Sequence, residues 1–234
     1  MNHLNTFCFQ IYPYIALAVL FIGSWMRFDY AMYTWRTGSS QMLSDKGMRW
    51  GSNLFHIGIL AILGGHLVGL LTPHWLYEPF ISSAQKQMLA MIAGGLFGAV
   101  CLVGISILTV RRLFNPRVRA TGSTADTVIL LLLFAQLLLG LFTIVQSGHH
   151  LDGGVMVALA EWAQHIVTFR GGAAAFVADV HWVYKAHIFL GLSLFLLAPF
   201  TRLVHVWSIP VSYLWRPYQV VRRRQSTLNY RQRS

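Results

Sequence analysis

Five stretches of this 234-residue chain run for most of a bilayer's thickness with almost no charge, which leaves few folds open to it. A hydrocarbon core of about 30 Å takes roughly 20 helical residues at ~1.5 Å each. The stretches lie at about 9–26, 52–71, 88–110, 127–145 and 186–206, the second free of Asp, Glu, Lys and Arg and the fifth interrupted late by Arg202. In lipid only helices and closed barrels satisfy their own backbone, and these runs are continuous where barrel strands would alternate. The expected fold is an all-α integral membrane protein, a bundle of five transmembrane helices. Pro13 falls in the opening turn of the first, where a missing N–H is harmless. That first span does not read as a cleavable signal: it lacks a basic leader and a small-residue cleavage site, and Arg27 and Asp29 follow it.

Composition agrees. The chain is 56% hydrophobic and 11% charged, against about 25% charged for soluble domains. Two cysteines, Cys8 and Cys101, exclude a disulfide framework and a thiolate-ligated iron–sulfur cluster, which needs four. The net charge of +11 is a matter of topology. Fifteen of the 18 Lys and Arg residues fall on one side of the five spans, Arg27, Arg49, Arg111, Arg119 and the tail arginines among them; only Lys86, Arg170 and Lys185 fall on the other. The positive-inside rule then puts the N-terminus outside and the C-terminus in the cytoplasm. No basic–aromatic interleaving suggests nucleic acid. The expected division is a membrane domain over 1–212 and a basic cytoplasmic tail over 213–234. The tryptophans, Trp162 among them, fall near span ends as an interfacial belt would, and the amphipathic stretch 155–169 reads as a helix lying on the outer membrane face.

Ionisable groups inside hydrocarbon need a reason. Four histidines stand there: His56 and His66 on the second span, His187 and His205 on the fifth. The spans run in opposite directions, so depth pairs His56 with His205 near the inner face and His66 with His187 near the outer. Two imidazoles facing each other across helices are what a six-coordinate b-type haem needs. On continuous helices the spacings disagree, ~15 Å of rise between the first two against ~27 Å between the second two. Gly58, Gly64, Gly65 and Gly69 keep one helix thin enough for a flat macrocycle, or else serve as small-residue packing motifs. The chain has no C-x-x-C-H, so any haem is held noncovalently. Arg111, Arg112 and Arg202 at the inner boundary either pair with haem propionates or snorkel to headgroups. His149-His150-x-Asp152 is a candidate loop metal site, His74 a polar interface residue or quinone neighbour, and His3, His165 and His181 are solvated or interfacial.

Longer motifs then carry a resemblance: Ile11-Tyr12-Pro13-Tyr14, Gly23-Ser24-Trp25-Met26-Arg27, Tyr33-Thr34-Trp35-Arg36, Ser52-Asn53-Leu54-Phe55-His56-Ile57-Gly58, Leu71-Thr72-Pro73-His74-Trp75, Arg111-Arg112-Leu113-Phe114-Asn115-Pro116-Arg117, and Pro199-Phe200-Thr201-Arg202-Leu203-Val204-His205. With these, almost the whole chain resembles the cytochrome b (gamma) subunit of respiratory nitrate reductase, a family of the bacterial inner membrane. The resemblance implies two noncovalent b haems, one on His56 and His205 and one on His66 and His187. It also implies quinol oxidation near the outer haem and electron delivery to an iron–sulfur subunit and a molybdenum-containing catalytic subunit in the cytoplasm, where nitrate becomes nitrite. Lys86, the one basic residue between the second and third spans, is an interface lysine by its chemistry alone; the resemblance favours it as a donor to quinol. Gly65 and Gly69 would leave room for the quinol ring, and Arg112 is the candidate for a propionate, with snorkelling equally open. Readings that stay open are the cytochrome subunit of a formate dehydrogenase or hydrogenase, a non-redox anchor, and a proton-coupled transporter.

Overall fold

The computed structural model describes residues 3–35, 47–208 and 215. No strand occurs among them, and five helices are long and apolar enough to cross a membrane. They are α1 (His3–Thr34), α2 (Met48–Leu71), α3 (Ser83–Phe114), α4 (Thr124–Ser147) and, after the shorter α5 (Gly154–Val167), α6 (Trp182–Leu197), which a 3₁₀ turn extends to Phe200. Of the tail 213–234, all but Trp215 lies outside the described residues, as do Arg36 and Lys46.

Local sequence fixes the helix starts. Ser82 with Gln85 and Ser123 with Asp126 form capping boxes that satisfy the first free amides of α3 and α4. The long helices pack in the order α2–α3–α4–α6–α1. The α2–α3 contact is the tightest: a methyl on Gly58 would come 2.5 Å from Cys101 Cβ, and one on Gly104 would strike the Phe55 backbone. Gly58 therefore serves this crossing, and is not part of a thin face for a macrocycle.

Within α1, Pro13 is the second residue of the α-helical part, Tyr12–Ala31, as expected. Helical chain nevertheless precedes it, through a π turn at Phe7–Ile11. In an α-helix the Phe9 carbonyl would take the amide of residue 13, which proline lacks. Trp162 Nε1 supplies the missing donor at 2.9 Å. Trp162 is thus buried in the protein and does not belong to an interfacial belt.

That contact shows where α5 goes. The amphipathic helix exists, but its apolar side is covered by protein and not by lipid: Trp162, Ala163 and Ile166 pack with Phe9, Ala16, Ala173, Ala174 and Leu192. Gln164 Nε2 donates to Leu70 O (3.0 Å) and Thr72 O (3.4 Å), carbonyls that the end of α2 leaves without helical partners. Gly153 starts α5 at φ +83°, where a Cβ would meet the Ser83 backbone at 2.6 Å.

The fifth span differs most from expectation. A single helix over 186–206 would carry both of its histidines, but the α-helix stops at Leu197. After the 3₁₀ turn, Thr201 is extended (φ −123°, ψ −178°), and a separate 3₁₀ segment, Arg202–Ser208, carries His205. Pro199 cannot donate to the ladder, which is the local reason for the break. The break also removes the disagreement between ~15 Å and ~27 Å of rise, because His205 is not on the same helix as His187.

Candidate functional site

α2 and α6 stand first and fourth in the packing order, yet the two histidines of α2 meet His187 of α6 and His205 of the segment beyond it. The rings of His66 and His187 lie with centroids 6.0 Å apart and planes inclined by 35°. The rings of His56 and His205 lie 6.3 Å apart at 70°. Metal–imidazole bonds run to about 2.0–2.1 Å and a ring atom sits roughly 1.1 Å from its centroid, so one metal between two imidazoles spaces the centroids by about 6.3 Å. Both pairs have that spacing.

Tautomers point the same way. His56 Nδ1 lies 2.7 Å from Ser52 O, His66 Nδ1 2.8 Å from Ile62 O, and His205 Nδ1 2.6 Å from Arg202 O. A carbonyl only accepts, so in these three neutral rings the proton sits on Nδ1 and the Nε2 lone pair is left for a metal. His187 is different: its Nδ1 is buried with no partner among the described residues. His56 and His66 are exposed on α2, a costly state for imidazole against hydrocarbon unless something covers them. Among the described residues no group of three or more His, Cys, Asp or Glu could hold an ion. Facing imidazoles in pairs are the donor set a b-type haem would take, so the residues present fit it.

The glycines expected beside these rings divide. A methyl on Gly64 or Gly65 would meet nothing within 4 Å, so that face of α2 is open, while at Gly69 it would touch Met156 Cε of α5 at 3.4 Å. Arg112 is engaged within the protein. Its donors reach Thr127 Oγ1 (3.1 Å), Ser123 O (3.0 Å), Val118 O (3.4 Å) and Asp126 Oδ2 (3.4 Å), which ties α3 to the start of α4. Asp126 Oδ1 also lies 4.0 Å from Arg202 Nε, so one carboxylate joins both arginines.

Lys86, in the first turn of α3, does not reach outward. It is buried, with Nζ 3.9 Å above the Tyr77 ring and donating to Thr72 O at 3.4 Å. Beside it, Ser83 Oγ pairs with Tyr77 Oη (3.1 Å) and His74 Nε2 (3.3 Å), and His74 Nδ1 meets Glu78 at 3.1 Å. Lys86 and Thr72 place this polar group at the same end of the molecule as His66, just past the C-terminus of α2.

Other candidates have structural work. His150 lends its carbonyl to Gln87 Nε2 at 2.6 Å, and Asp152 Oδ1 caps the Gly154 amide at 3.3 Å, so the loop motif is a turn. His181 Nδ1 accepts from the Val183 amide at the start of α6, and His165 Nδ1 pairs with Glu161 O. His3 is exposed. The sequence reading passed over Gln136 and Gly140 of α4, one turn apart against His187. A lone amide in the middle of an otherwise apolar span was the available signal.

Comparison with known proteins covers nearly the whole chain. Residues 5–224 match the family described as nitrate reductase gamma subunit. The respiratory nitrate reductase 1 gamma chain of Escherichia coli (strain K12) is 56% identical over 224 residues, which is 96% of this chain and 100% of that one. The respiratory nitrate reductase 2 gamma chain of the same strain is 53% identical over 225 residues, again 96% and 100%. The nitrate reductase gamma chain of Bacillus subtilis (strain 168) is 38% identical over 215 residues, 92% of this chain and 96% of that one.

Proposed function

The chain belongs to the nitrate reductase gamma subunit family, the membrane component of an enzyme complex, and from that premise we propose that it is the cytochrome b subunit that oxidises quinol and passes the electrons to its partners. The observation that carries this reading is the pair of imidazole couples, His66–His187 and His56–His205, each with its ring centroids at the spacing one metal between two imidazoles would set. Haem iron held in them supplies one-electron exchange between its ferric and ferrous forms.

The chain's own residues do the rest. Nδ1 bonds to backbone carbonyls orient three of the four rings and raise their basicity as ligands. The open face at Gly65 admits a flat ring beside His66. Lys86 is buried and turned inward, so its amino group, when protonated, is placed to donate to a quinol oxygen and to stabilise the negative charge that grows as the hydroxyl loses its proton. Each quinol yields a quinone, two electrons and two protons. With the basic residues inward, the His66–His187 end faces outward, so the protons leave outside while the electrons move towards the cytoplasm. There we place an iron–sulfur subunit and a molybdenum-containing subunit that reduces nitrate to nitrite; the relatives' names speak for the nitrate reductase and a gamma chain within it.

The test is Lys86→Ala in the assembled complex, assayed with a menaquinol analogue and with reduced viologen, which bypasses the membrane subunit. Loss of one preorganised donor predicts about a 10²-fold fall with quinol and no change with viologen. Equal loss with both donors, or full quinol activity, would overturn the assignment.

A further inference from the structure

Gln136 is the one carboxamide in the middle of α4, Gln146 standing at its end, and Gly140 lies one turn further along the same face. The His187 ring lies on that face. A methyl on Gly140 would come 3.0 Å from His187 Cε1 and 3.6 Å from Nδ1, so glycine is what lets the ring approach. Gln136 Nε2 donates to His187 O at 3.0 Å and lies 3.4 Å from His187 Nε2. The other half of the amide has no such use. Gln136 Oε1 and His187 Nδ1 are both buried, and neither has a partner among the described residues.

A neutral imidazole that binds a metal through one nitrogen keeps a proton on the other, and that proton needs an acceptor once buried. His56, His66 and His205 have backbone carbonyls for it, and His187 has none. Gln136, whose amide reaches this ring at Nε2 (3.4 Å), carries a buried oxygen in want of a donor. We propose that Gln136 is the positioning residue for His187: its carboxamide oxygen takes the ring N–H that remains when the other ring nitrogen is committed to iron. This rests on the haem reading above and adds to it. One ligand of the four is then oriented by a side chain, where the other three use the backbone. An acceptor on a ligating imidazole makes the ligand more basic, which favours the ferric state and lowers the reduction potential.

The experiment uses the full complex in membranes, with redox titration and low-temperature EPR of the b-type signals, the His66–His187 component being the one lost in His66→Leu. Gln136→Met removes the acceptor at similar volume and should raise the potential of that component and shift its EPR g-values. Gln136→Glu strengthens the acceptor and should lower the potential. The His56–His205 component should stay unmoved in both. Loss of the His66–His187 haem in the Met variant with retention in the Glu variant also supports the proposal. Unchanged potential and g-values in both variants would overturn it, leaving Gln136 as a tie between helices through His187 O; so would loss of that haem in both. Wild-type protein without two b components would remove the haem reading itself, a result distinct from either.

Discussion

The two histidine pairs are positioned by different means. At the His66–His187 end both rings ride on unbroken helices, and α4 backs one of them through Gly140 and Gln136. At the His56–His205 end one ring rides on α2, and the other sits on a 3₁₀ segment beyond the end of α6. Side chains hold that segment. Arg27 Nη1 donates to Pro199 O (2.7 Å) and Thr201 O (2.8 Å), Trp207 Nε1 to Ser24 Oγ (3.0 Å), and Trp35 Nε1 to Ser208 Oγ (2.6 Å). The difference teaches that matching depths on antiparallel helices need not come from matching spacings. Where the rises disagree, a break plus polar ties can bring the second ring back to the first.

The sharpest way to break the comparison is to remove one ring from each end. His187→Leu should abolish one b-type spectral component and halve the haem per chain while the other component persists; His205→Leu should do the reverse. Loss of both components from either single change would mean that the ends are not independent.

A smaller effect tests the ties. Arg27→Gln removes charged donors from the Pro199 and Thr201 carbonyls, a loss of about 1.5–3 kcal/mol by the usual worth of such bonds. Thermal unfolding should fall accordingly, and haem occupancy should drop at the His56–His205 pair alone. Equal loss at both pairs would deny that this end depends on Arg27.

The smallest lies at the other end. Trp162→Phe keeps most of the packing of α5 but leaves Phe9 O without the donor that compensates for Pro13, a cost of about 1–2 kcal/mol. It should lower the melting temperature and leave both b components in place.

Much of this was legible in the sequence. Hydropathy alone announces spanning helices, because lipid permits nothing else over such runs. Depth alone pairs His56 with His205 and His66 with His187, since antiparallel spans order their residues oppositely. The break after Leu197 had one sign in the sequence, Pro199, but the run stays apolar to Phe200 and hydropathy alone reads through the turn. Nor could the amphipathic pattern of α5 say whether its apolar side would meet lipid or protein, as either satisfies it. Gly58 and Gly65 look alike in sequence; one lies against the Cys101 backbone and the other faces open space. Arg112 has the charge for a propionate, but Asp126 and the carbonyls around it are contacts only the fold reveals.

Everything above depends on each imidazole couple holding an iron porphyrin, and the direct measurement is haem per polypeptide with a dithionite-reduced difference spectrum of the intact complex. The account predicts two b haems per chain, resolved as two components that titrate separately. A folded, complete complex with no Soret band, or with a single haem per chain, would contradict it.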